Sequence, residues 1–247
     1  MALRGWWNQP LVALMWHTTV VLVLLTIGYY MLPRRAGEMY LNLLKNMRQW
    51  RMLSQEITLA ALYAIAVAEE NASGGRIVTA PTCGSAGVVP GALKVLQDRF
   101  RLPDDKVVEG LAVAGLVGAV VATNASVAGA ELGCQAEVGT ASAMAAAAAC
   151  QIMGGTPMQV EFAAEMALEH HLGLTCDPVY GLVQIPCIER NAVGAVTALN
   201  AANLALLSDG THRVAFDTAV ATLRDVGADM SAKYKETALG GLATEVP

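Results

Sequence analysis

The chain is short of charge. Asp, Glu, Lys and Arg make up only 15% of its 247 residues, against 55% hydrophobic, and the mean hydropathy is +0.45. So few charges imply that much of the chain is deeply buried or faces a membrane. Basic residues are the scarcer sign, 16 against 21 acidic, for a net charge of −5. No basic stripe follows residue 51. A protein that tracks phosphates displaces counterions through a basic surface, so nucleic acid is excluded as a partner. Cysteine is sparse too, with five residues at 83, 134, 150, 176 and 187. An odd, scattered set is not the dense even framework of a secreted disulfide scaffold, and it points to reduced thiols in the cytoplasm. Alternating apolar stretches are almost absent. "GRIVTAP" is too short to imply a sheet, and no repeat of fixed period is evident.

What is present is helical. "RRAGEMYLNLLKNMRQWRM" and "LSQEITLAALYAIAVAEENA" space apolar residues by three and four. Ser54 is followed three positions later by Ile57 rather than Glu, so no capping box is expected there. "GGTPMQVEFAAEMALEHHLG" carries a full start signal: Thr156 as cap, Pro157 at the first helical position, Gln159 closing a capping box, and Gly173 to end the helix. Val160, Ala163, Ala167 and His171 then share a face. "GLAVAGLVGAVVATNAS", "GTASAMAAAAACQIMGG" and "NAVGAVTALNAANLALL" are rich in small residues, which lets helix backbones approach closely. The expected fold class is all-α, a multi-helix domain over residues 33–247, with irregular loops between helices and a hydrophobic N-terminal helix.

That N-terminal segment, residues 1–32, differs from the rest. Pro10 to Leu32 is 23 residues without a formal charge, about 35 Å as a helix against a hydrocarbon core of about 30 Å. Trp6, Trp7, Tyr29 and Tyr30 flank it like interfacial aromatics, and Arg34, Arg35, Lys45, Arg48 and Arg51 follow it. It is either a membrane helix, a core helix, or an atypical leader from a displaced start or reading frame.

Three stretches interrupt the helices. "TAPTCGSAGVVPGAL" sets Thr82, Cys83, Gly84 and Ser85 ahead of an apolar run, where glycines allow close approach and backbone N–H groups can hold an anion. "NASVAGAELGCQAEVGTASA" holds Cys134. "GLTCDPVYGLVQIPCIERN" holds Cys176 and Cys187, where Asp177-Pro178 and Pro186 break any continuous helix and keep both thiols in irregular backbone. Cys150, inside the polyalanine run, is a small buried hydrophobe. Three loop thiols without a fourth do not close a structural zinc site, and they are one short of the usual iron–sulfur set.

"ENASGGRIVTAPTCGSAGVVPGAL", "NASVAGAELGCQAEVGTASAMAAAAA", "EMALEHHLGLTCDPVYGLVQIPCIERNAVGAVTALNAANLAL" and the tail "GADMSAKYKETALGGLA" resemble the α chain, or C-terminal catalytic domain, of the iron–sulfur L-serine dehydratases. The resemblance runs from about Pro33 to Ala243. It implies a [4Fe-4S] cluster held by Cys134, Cys176 and Cys187, an open iron acting as Lewis acid on the β-hydroxyl of L-serine, and release of pyruvate and ammonia in amino-acid degradation. Thr82, Cys83, Gly84 and Ser85 fall on the family's substrate-proximal loop, although many members have Asn where Cys83 stands. His170 matches a histidine of the family's "EH" pair and is a candidate base, though a helix histidine is more often structural. Glu137, Asp177 and Glu189 adjoin the ligands and are expected to orient them.

Complete members also carry an N-terminal domain with an "SSSH"-type loop. This chain has none, so either a separate β chain supplies it or the chain is a fragment, inactive alone; an oligomer is expected as well. Two other readings remain. A pyridoxal-phosphate dehydratase would use "TCGSAG" for the phosphate and Lys94 for the Schiff base. A membrane-inserted helical protein, inserted through residues 1–32, would leave the thiols incidental.

Overall fold

The computed structural model describes residues 54–246. The expected hydrophobic helix of residues 1–32 and the helix over "RRAGEMYLNLLKNMRQWRM" lie outside them. Among the described residues the fold is all-α with no named strand; the one pairing of extended backbone is an isolated bridge between Cys176 and Lys235.

The long helices are α1 (Gln55–Ala72), α2 (Val88–Phe100), α3 (Asp104–Asn124), α4 (Thr140–Ile152), α5 (Pro157–Glu169), α6 (Cys187–Leu207) and α7 (Phe216–Asp229). The polyalanine helix α4 is the axis of the bundle. Every residue from Thr140 to Cys150 is buried, because α2, α3, α5 and α6 surround it. A helix apolar on all sides has no solvent face to keep polar. Alanine there keeps neighbours close: Gly110 of α3 comes so near that a Cβ would meet Ile152 at 2.7 Å and the Ala148 carbonyl at 3.4 Å. A larger side chain on α4 would strain this contact surface by about 1–3 kcal/mol. α1 packs on α2 and α6, and α7 closes over α5.

The start signals behave as their chemistry requires. At α5 the Thr156 hydroxyl accepts from Gln159 N while Gln159 Oε1 accepts from Thr156 N at 2.8 Å. Gln159 Nε2 also donates to the Ser208 carbonyl at 2.8 Å, tying this end of α5 to the end of α6. Val160, Ala163, Ala167 and His171 are all buried, as their shared face predicts. Ser54 caps α1 without a box, its Oγ accepting from Ile57 N. α3 is, by length and hydropathy (1.7), the one described helix long and apolar enough to cross a membrane, with 28% of its apolar window buried. Length and hydropathy therefore single out α3 as well as the N-terminal segment.

Candidate metal centre

Cys134 does not lie on a loop. Gly133 turns the chain at φ +80°, where a Cβ would meet the Leu174 carbonyl at 2.9 Å, and Cys134 then opens a helix. The first turns of that helix, Gln135–Gly139, are π-helical and run straight into α4. A π turn adds a residue per turn and occurs often at functional sites. Gln135, fully buried, fixes the turn: its Nε2 donates to the carbonyls of Leu132 and Leu223, and its Oε1 accepts from Gly173 N at 2.9 Å. Gln135 N also donates to the Leu174 carbonyl. These bonds bring the backbone just before Cys176 alongside Cys134.

Cys176 is in extended backbone. Its N–H donates to the Tyr234 carbonyl at 2.8 Å, and its own carbonyl accepts from Glu236 N at 2.7 Å. The C-terminal segment is thereby pinned beside the thiol. Cys187 corrects the expectation from its prolines: it is the first residue of α6, with Pro186 at the cap position. A proline that breaks one helix can equally start the next, because the first turn has no use for its missing N–H.

All three thiols are buried. The sulfurs of Cys134 and Cys176 and a carboxylate oxygen of Glu137 lie within 4.8 Å of one another. Cys187 is outside this trio but near enough for Cys134 and Glu137 to raise its thiol, which burial chiefly pushes up to about 12. The Cys134 thiol is shifted down: the Cys176 S–H hydrogen-bonds to it and the Arg190 cation adds to the effect, against burial. Cys176 is held protonated, first by that bond and then by burial. One S–H proton can serve only one acceptor, yet Glu137 Oε2 at 3.6 Å and Glu236 Oε1 at 3.5 Å also face the Cys176 sulfur.

Glu137, inside the π turn and 7% exposed, is the carboxylate at the centre. Burial raises its pKa, while a 2.7 Å hydrogen bond from Thr82 Oγ1 to Oε1 opposes that rise. Thr82 is also 3.1 Å from Ser85 Oγ, and a Cβ on Gly84 would sit 3.1 Å from the Glu137 carboxylate. Thr82 and Gly84 of the expected substrate loop thus adjoin Glu137, and Ser85 reaches it through Thr82. Cys83 does not: it is exposed, 3.4 Å from Thr79 Oγ1.

Two residues on the first turn of α6 hold these parts together, and sequence reasoning missed both. Arg190 donates from Nη1 to the Thr175 carbonyl at 2.7 Å and from Nη2 to Asp177 Oδ1 at 3.2 Å. It clamps the Cys176 segment to α6. Asp177 in turn accepts from Thr175 Oγ1 and from Leu242 N at 2.8 Å, and its carboxyl lies below the usual range through these bonds and Arg190, against burial. Asn191, 1% exposed, accepts from Gly87 N and donates to the carbonyls of Gly84 and Cys187, each at 2.8 Å. Both residues stand in the "PCIERN" stretch; knowing that α6 starts at Cys187 would have turned them inward. Glu189, expected to orient a ligand, is exposed.

His170 caps α5, its Nδ1 2.8 Å from the Met166 carbonyl. It lines a separate cavity of about 380 Å³ with Ile57, Met166, Val196, Asn200 and Leu204. Lys94 is half exposed and paired with Asp98 at 2.5 Å. That hydrogen bond raises its pKa, opposite to what a Schiff-base lysine needs. Cys150 is buried within α4, where burial pushes its thiol up to about 11.

Residues 26–243 match the family model described as "Serine dehydratase alpha chain". The L-serine dehydratase of Mycobacterium bovis is 58% identical over 189 residues, covering 75% of this chain and 41% of the relative. That of Streptomyces coelicolor is 56% identical over 186 residues, covering 75% and 41%. That of Haemophilus influenzae is 46% identical over 220 residues, covering 89% and 48%. The chain spans less than half the length of these curated relatives.

Proposed function

The chain belongs to the serine dehydratase α-chain family, and from that premise we propose that it carries the cofactor-binding part of an L-serine ammonia-lyase, which converts L-serine to pyruvate and ammonia. The observation that carries the reading is the pair of buried thiols, Cys134 and Cys176, grouped with Glu137 beside the Thr82 loop, with a third buried thiol, Cys187, near them. The donor chemistry of the three thiols fits an iron–sulfur cluster: all are sulfur and none is in a disulfide. Cys134, Cys176 and Cys187 would hold a [4Fe-4S] cluster. When bound, the cluster would supply an open iron as Lewis acid for the departing β-hydroxyl.

The chain's own residues do the positioning. Arg190 fixes the Cys176 segment and offsets thiolate charge in a buried place. Asn191 sets the Gly84–Gly87 backbone against the start of α6. Thr82 orients Glu137, the carboxyl that groups with the Cys134 and Cys176 sulfurs. Glu137 is therefore the first residue to test for carrying a proton at its carboxylate, ahead of His170 in its separate cavity. A partner polypeptide corresponding to the rest of the relatives' length would complete the site, and five free thiols suit a reducing cytoplasm.

The test is anaerobic reconstitution with iron and sulfide, alone and with the portion of a relative outside the matched region. Iron content and pyruvate release from L-serine are measured. Cys134→Ser, Cys176→Ser and Cys187→Ser should each lose both; Cys150→Ser should keep both. A cluster and full activity in any of the first three would overturn the ligand set. A borohydride-trapped adduct on Lys94 in active, iron-free protein would instead establish the pyridoxal-phosphate reading.

A further inference from the structure

We propose that, without a cluster, Cys134, Cys176 and Glu137 bind one zinc-class divalent ion in a tetrahedral site whose fourth position is open to a small exogenous ligand. Three donor atoms within 4.8 Å of one another suit a single ion. Zinc–sulfur bonds of about 2.3 Å and zinc–oxygen bonds of about 2.0–2.2 Å at a tetrahedral angle put sulfur and oxygen about 3.5 Å apart. Glu137 Oε2 stands 3.6 Å from the Cys176 sulfur, close to that edge length. In the arrangement without a cluster, Cys134, Cys176 and Glu137 are close enough to share one ion, and Cys187 is outside the trio.

The surroundings also suit an ion. The second oxygen of Glu137 is held by Thr82 at 2.7 Å, the kind of outer hydrogen bond that orients a ligating carboxylate. Gly129 and Gly84 leave room around that carboxylate; a Cβ on Gly129 would lie 2.6 Å from Glu137 Oε2. All three donors are buried, where charges brought together need an opposite charge to compensate them, and a divalent ion supplies it. Mixed sulfur and carboxylate donors with an open position are within zinc's range. Glu236 Oε1 faces the Cys176 sulfur but is not part of the trio. Only one consequence rests on the cluster reading: an ion seated here would block iron loading.

The test uses the full chain purified without iron, titrated with Co²⁺ as a spectroscopic probe and then with Zn²⁺ in competition. One equivalent should give tetrahedral cobalt bands with sulfur charge transfer, displaced by zinc. Cys187→Ser should leave this binding within about twofold, although it is expected to abolish cluster assembly. Glu137→Gln, Cys134→Ser and Cys176→Ser should each weaken it by about 100-fold or more, since loss even of outer partners costs 10–100-fold. In the unmutated chain, one equivalent of zinc should suppress iron–sulfide reconstitution. Binding unchanged in Glu137→Gln, or lost equally in Cys187→Ser, would overturn the proposal. So would octahedral bands without sulfur charge transfer in the unmutated chain, which needs no variant to fold. If the cobalt results hold but no cluster forms even in zinc-free protein, it is the cluster reading that fails.

Discussion

Replacing Asn191 by alanine removes a side chain that joins the Thr82 loop to the start of α6. Three 2.8 Å hydrogen bonds disappear. The Cys187 carbonyl keeps its helical partner at residue 191, whereas Gly87 N and the Gly84 carbonyl lose the buried partner that Asn191 gave them. An unsatisfied buried group costs about 1–3 kcal/mol, so the pair should cost about 3 kcal/mol or more. With about 2–4 °C lost per kcal/mol for a domain of this size, the midpoint should fall by on the order of 10 °C. Asn191→Asp tests the cause. It keeps the acceptor for Gly87 N but turns a carboxylate toward two carbonyls, so it should destabilise at least as much as alanine despite its near-identical shape. The assay is urea unfolding followed by far-ultraviolet circular dichroism in both variants at pH 7. A loss below about 0.5 kcal/mol in the alanine variant, or clear rescue by aspartate, would refute the role given to Asn191.

Other outcomes follow from features away from the thiols. Glu165 is 2% exposed, with Oε1 unpartnered and Glu161, Glu169 and His212 as its titratable neighbours. Burial, then Glu169, pushes its pKa up to about 7. Its folded pKa lies above the unfolded value, so its contribution is full below about pH 4.5 and is lost as pH rises through about 7. Glu165→Gln should therefore gain up to about 3 kcal/mol at pH 8 and little at pH 4.5; a pH-independent effect in denaturant titrations would contradict this. Thr156→Ala should lower stability by about 1 kcal/mol by opening the capping box, measured as a midpoint shift at unchanged m-value. Cys150→Ala should cost under about 1.5 kcal/mol and leave metal and iron content unaltered; an altered metal content by elemental analysis would show that α4 reports on the thiol site.

The helices were legible wherever one residue's chemistry decides the local geometry. Thr156, Pro157 and Gln159 specify the start of α5 with no help from packing. The small-residue run of α4 announced close helix packing, and the structure encloses that helix on all sides. Cys134, Cys176 and Cys187 were singled out by expected loop settings, of which only that of Cys176 holds, since Cys134 and Cys187 each open a helix; Thr82 and Gly84 were singled out by their turn chemistry. The other parts of the site depend on quantities that spacing does not carry. Whether Glu189 or its neighbours Arg190 and Asn191 faces inward is a matter of helix phase, set only once α6 is known to begin at Cys187. Glu236 reaches Cys176 through backbone bonds across 60 positions, and an isolated bridge leaves no periodic trace.

The π turn of Gln135–Gly139 can be viewed as one residue spliced into an otherwise regular helix. An α-helix advances about 100° and 1.5 Å per residue. Deleting a single residue there would give an unbroken α-helix from Cys134 through α4, locally the better-bonded structure. It would also rotate Cys134 by about a quarter turn relative to the buried alanines and draw it along the axis. The thiol would then face away from Cys176, with every donor still in the sequence. The irregularity is thus a phase correction: it lets a helix whose angle is dictated by the core deliver a sulfur at an angle dictated by chemistry.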